Sequence, residues 1–98
     1  MVTNDIYELY PIYDSRKSFY GKAHVKIAND NIKYLISYDT CIAAIKDGQC
    51  YCNGIYSLTS TRHTKEFFKQ ETGRSYTTKE LKNLPSISEM EIEMDRKN

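Results

Sequence analysis

SYDTCIAAIKDGQCYCNGIYSLTSTRHTKEFFKQ, residues 37–70, is the stretch whose reading decides the fold. Asp47-Gly48 separates two short runs rich in β-branched, aromatic and cysteine residues, and Asp-Gly accepts the positive φ values of a two-residue hairpin turn. Residues 41–46 and 49–53 are therefore expected as paired strands. Thr59 or Ser60 then offers an N-cap oxygen and Gly73 a left-handed stop, which brackets a helix ending near Thr72. His63, Thr64, Phe67 and Phe68 form its inward stripe.

Upstream, Gly21, Ala23, Val25 and Ile27 alternate with Tyr20, Lys22, His24 and Lys26, the period of a strand over 19–28. Asn29-Asp30 supplies a turn, 32–38 a second strand and Asp39-Thr40 a weaker turn. Two-residue loops throughout set Ile27 opposite Ile32, Tyr38 opposite Cys41 and Ile45 opposite Cys50. One face then gathers Ala23, Val25, Ile27, Ile32, Tyr34, Ile36, Tyr38, Cys41, Ala43, Ile45, Cys50 and Cys52, almost all apolar. The other face is mixed, basic at Lys22, His24 and Lys26 and apolar at Leu35, Ile42, Ala44 and Tyr51.

Downstream, Thr77-x-x-Glu80 is a capping-box pattern opening a short helix with Leu81 and Leu84 inward, and Pro85 ends it. In the acidic tail Met90, Ile92 and Met94 alternate with Glu91 and Glu93, which reads either as a late strand or as a frayed or partner-ordered tail. Residues 1–18 surround Pro11 with Tyr7, Leu9, Tyr10, Ile12 and Tyr13 and read as an irregular lead-in or an edge strand. The expected fold class is α+β. A four-stranded antiparallel meander (19–53) is covered on one face by a helix, with a short second helix (59–84 holding both) and a tail (85–98).

The 98 residues leave room for one core and hence one domain. A net charge of +1 projects no global field toward nucleic acid. Locally the balance is uneven: residues 61–83 hold six bases against three acids. Nine tyrosines and no tryptophan suit half-buried strands and protein interfaces alike. No apolar run approaches the length of a membrane span, and the first residues lack a signal-peptide pattern, so a cytoplasmic protein is expected. Three cysteines, an odd number, argue against a secreted disulfide framework.

In the expected register Cys41, Cys50 and Cys52 share a face, with His63 entering from the covering helix, which would make a Cys₃His zinc site. The competing reading is three small buried hydrophobes, and the spacing matches no standard zinc signature. A cysteine nucleophile beside His63 or His24 would need an exposed thiolate in a cleft, which a buried face does not offer. The contact surface for a partner is expected on Tyr20, Lys22, His24, Lys26, Leu35, Ile42 and Tyr51, or on the tail at Glu89, Glu91 and Glu93. Lys22, His24 and Lys26 beside Tyr20 and Tyr51 also fit a single-stranded nucleic acid, since bases stack on rings while cations follow the backbone.

SRKSFYGKAHV (15–25), together with residues 37–70, resembles a small uncharacterised domain family of phages, plasmids and other mobile elements of Gram-positive bacteria. The shared pattern is SFYGKA, then S-Y-[GD]-T with a later Asp-Gly, then Y-S-x-T-[ST]-x-R-H-x-x-x-F-x-x-Q. Cys41, Cys50 and Cys52 fall outside that pattern. The resemblance implies no enzymatic activity. By analogy with small tyrosine-rich phage proteins it implies an anti-CRISPR-type inhibitor that docks on a host Cas nuclease of the Cas9 type. At +1 such a protein would not imitate DNA.

Overall fold

The computed structural model describes residues 5–15, 17–29, 32–53 and 57–96, with no side chains given for 29 and 93–96. Among them five strands form one antiparallel sheet in chain order: β1 (Asp5–Glu8), β2 (Ala23–Asn29), β3 (Ile32–Ser37), β4 (Thr40–Lys46) and β5 (Gln49–Cys52). Three helices follow, α1 (Leu58–Thr72), α2 (Thr78–Lys82) and α3 (Ile87–Arg96). The α+β class and the antiparallel sheet stand. The expected four strands become five because the lead-in supplies β1, an edge strand on β2, with Tyr7 opposite Val25.

Asp47 (φ 52°) and Gly48 (φ 81°) turn β4 into β5 with the φ signs of a type I′ hairpin, and Ile45 pairs with Cys50 as expected. The registers on either side of β3 differ from expectation. Ala28 is an extra residue on β2, so Ile27 meets Lys33 rather than Ile32. Tyr38-Asp39, not Asp39-Thr40, makes the next turn, and Ile42 is an extra residue on β4, so Leu35 meets Ala43. Each bulge shifts the pairing by one residue and turns side chains to the other face. The two shifts cancel, so β2, β5 and residues 43–46 of β4 keep their expected relation, while β3 is turned over and Cys41 and Ile42, at the bulge, change faces with it. Its apolar residues on both faces left the register weakly specified.

The main core lies between the sheet and α1, where Val25, Leu35, Ile42, Ala43, Phe67 and Phe68 are almost or fully closed to solvent. Helix α1 is capped by Ser57, whose side chain accepts from Ser60 N–H, rather than by Thr59 or Ser60. Gly73 ends it in the left-handed conformation, and its N–H donates to the Lys69 carbonyl. Thr77 and Glu80 form the expected capping box of α2.

The tail is a helix, neither strand nor frayed end. Ser86 and Glu89 form a second reciprocal cap, and Ile87 N–H donates to the Asn53 side chain. Ile87 and Met90 pack on Ile32, Ala44 and Tyr51, a second small core on the far face of the sheet. Asp30 of the expected Asn29-Asp30 turn lies outside the described residues.

Candidate functional site

The second strand and its neighbours meet at a corner built from three separate stretches. Phe19 to Lys22 make a tight turn, closed by Lys22 N–H donating to the Phe19 carbonyl at 3.0 Å, with Tyr20 at φ 54° and Gly21 at φ 73°. Gly21 N–H is held by the Glu8 carboxylate of β1, and Tyr20 N–H by the Ser18 hydroxyl. The β3–β4 turn closes on the same place: Tyr38, also left-handed at φ 57°, donates its N–H to the Lys22 carbonyl at 2.6 Å. Bulky residues rarely occupy this region because Cβ crowds the carbonyl, and holding one there costs about 1–3 kcal/mol. Two such tyrosines flank one cleft, and both are exposed, Tyr20 at 74% and Tyr38 at 47%.

The first turn of α1 forms the floor. A cleft of about 280 Å³ is bounded by Phe19, Tyr20, Lys22, Tyr38, Arg62 and His63. His63 is closed to solvent, its Nδ1 2.8 Å from the Ser37 hydroxyl, which lies 3.2 Å from that of Ser60. Phe19 meets the imidazole edge-on at 4.5 Å between ring centres. His63 Nε2 is buried without a hydrogen-bond partner among the described residues. Burial lowers the pKa of His63, opposed by Asp14 and assisted by Lys22, so the ring is neutral near pH 7. Lys22 Nζ lies 5.5 Å from the centre of the Tyr38 ring, and Arg62 pairs with Asp14 at 3.4 Å. The cleft thus offers two exposed rings, two cations and a buried neutral imidazole on a frame fixed by backbone hydrogen bonds.

The remaining expected site residues separate. Cys41 lies on the α3 side of the sheet, half-buried near Ile32 and Tyr51, while Cys50 and Cys52 face α1. The bulge at Ile42 is the cause, and no cluster of three metal-ligating side chains exists among the described residues. Burial pushes the Cys41 and Cys50 thiols up, and the Cys50 sulfur accepts a bond from the Tyr76 hydroxyl. That is the chemistry of inert packing rather than of a nucleophile. Leu35 and Ile42 belong to the main core and Tyr51 to the second, only 5% exposed, so none of the three presents a contact surface.

Lys22, His24 and Lys26 do line an accessible face, which α3 leaves open beside Ile6 and Ile36. Glu89 and Glu91 are exposed on α3, and the Glu93 side chain lies outside the described residues. Sequence reasoning missed the cleft itself. The available signal was the Tyr20-Gly21 pair, a turn dipeptide inside what reads as a strand.

No helix among the described residues is long and apolar enough to cross a membrane. No curated protein and no solved structure matches the chain. The model of a family of unknown function, DUF8033, matches residues 7–83, from β1 through α2, which includes every side chain of the cleft. The chain belongs to that family.

Proposed function

We propose that this chain is a non-enzymatic protein-binding module whose contact centre is the Tyr20–Tyr38 cleft. The observation that carries the reading is that two exposed tyrosines are held in a costly backbone conformation on either side of Lys22 and Arg62. Rigid exposed tyrosines beside a cation are the side chains that dominate protein interfaces, because they bury much area while losing little rotamer freedom. The Ser37–His63 pair does not favour catalysis. Its hydroxyl is buried and shared with Ser60, and no group among the described residues orients Nε2.

The finer reading follows the mobile-element resemblance: an anti-CRISPR-type inhibitor that docks on a Cas9-type nuclease of the host cell. Its test is binding of the purified nuclease to immobilised protein. Binding lost in Tyr38→Ala supports the reading, and absence of binding by the wild type removes it. The alternative, a single-stranded nucleic-acid-binding accessory protein using the sheet face, is weakened because Tyr51 lies beneath α3.

A further inference from the structure

A second concave surface lies on the outer side of α1, away from the sheet. It is a groove of about 430 Å³ between the lead-in and the loop joining α1 to α2, and its walls include Tyr13 and Tyr76. Arg62, Lys65 and Lys69 line it at spacings of three and four residues, which places them on one helix face. With a rise of 1.5 Å per residue they span roughly 10 Å, about three rises of a stacked strand at about 3.4 Å each, a length that holds about four successive phosphates.

The groove contains two acids, and both are engaged within the protein. Glu66 is buried, accepting the Tyr13 and Asp14 N–H groups on one oxygen and the Gln70 amide on the other. Asp14 pairs with Arg62. Lys65 has no ion-pair partner among the described residues. Cations also lie over both aromatic walls, Lys69 over Tyr13 at 5.4 Å and Arg74 over Tyr76 at 5.2 Å. Tyr13 is 60% exposed although no apolar core requires it there. A row of cations beside the exposed Tyr13 ring is complementary to a chain that carries both phosphates and flat bases. An acidic peptide would use the charges and leave the rings idle.

We infer that this groove binds single-stranded nucleic acid, with Arg62, Lys65 and Lys69 on the phosphates and a base stacked on Tyr13. The site shares only Arg62 with the cleft and does not depend on the proposed protein partner.

Fluorescence anisotropy with a labelled oligothymidylate tests it, on the full chain at low and at fourfold higher salt. Three phosphate contacts predict a log–log salt slope of about −2, hence about 20-fold weaker binding at the higher salt. Lys65→Glu with Lys69→Glu should weaken binding at least tenfold, and Tyr13→Ala at least fivefold. Tyr38→Ala should leave it unchanged. Circular dichroism checks that each variant folds, and Lys65→Ala with Lys69→Ala replaces the charge reversal if that variant does not. No binding at low salt overturns the inference, as does binding that the double lysine variant leaves intact. Polyglutamate competing as well as the oligonucleotide assigns the groove to acidic protein and also overturns it.

Discussion

Charging the His63 imidazole would place a cation in a site closed to water, which is why burial holds its pKa below the ordinary value of 6.5. In the unfolded chain the same ring takes its proton near 6.5, whereas the folded chain takes it only at lower pH. Between those two values the unfolded state binds more protons, so stability must fall as pH falls. The slope is at most about 1.4 kcal/mol per pH unit. Urea unfolding between neutrality and pH 5 should show that loss in the wild type and a flatter profile in His63→Gln. Identical profiles would mean that the ring is not held neutral by burial. Leu35 makes the complementary case. A register without bulges places it outside, yet it is closed to solvent against α1. Leu35→Ala should therefore cost about 2–5 kcal/mol, where a surface position would cost little.

Elements were legible where their ends carry chemistry and obscure where two periods competed. Asp47-Gly48, Gly73 and the Thr77–Glu80 box each fixed an element boundary because one local interaction decides it. The tail carried an equally good signal, Ser86-x-x-Glu89, together with apolar residues at 87, 90 and 94. The alternation of Met90, Ile92 and Met94 masked that helical spacing. The β3 inversion was hidden for a different reason: two bulges that compensate each other leave no trace in the pattern of the neighbouring strands.

Glu66 shows how one element positions another. Its carboxylate ties the lead-in to α1 through the Tyr13 and Asp14 N–H groups. Glu66→Ala leaves both without that acceptor and should cost about 1.5–3 kcal/mol per charged bond lost. Hydrogen exchange at Tyr13 and Asp14 should rise well before exchange in β3. Unchanged protection there would contradict the tether. On the far face, Met90→Ala should cost about 2–5 kcal/mol by denaturant unfolding, since Met90 is fully buried against Ala44 and Tyr51. A frayed tail would lose almost nothing.

At the scale of the whole molecule, one sheet is covered on its two faces by unequal layers, α1 with α2 on one and α3 on part of the other. The start of α1 forms only the floor of the corner where the 18–22 turn and the Tyr38 turn meet, and neither α2 nor α3 covers it, so that corner stays open as the cleft. Stretches far apart in sequence supply its walls. Sequence reading identified Tyr20, Lys22 and His63 singly, but only the β3 inversion brings Ser37 beneath His63 and Tyr38 beside Lys22.

The proposal that this corner is a protein contact is tested most directly by the affinity of purified Cas9-type nuclease for wild type, Tyr38→Ala and the double variant Lys65→Glu, Lys69→Glu. Loss of a central interface tyrosine removes about 2 kcal/mol or more. The predicted result is wild-type binding, at least thirtyfold weaker binding by Tyr38→Ala, and unchanged binding by the groove variant. No binding by the wild type, or equal binding by Tyr38→Ala, would contradict it.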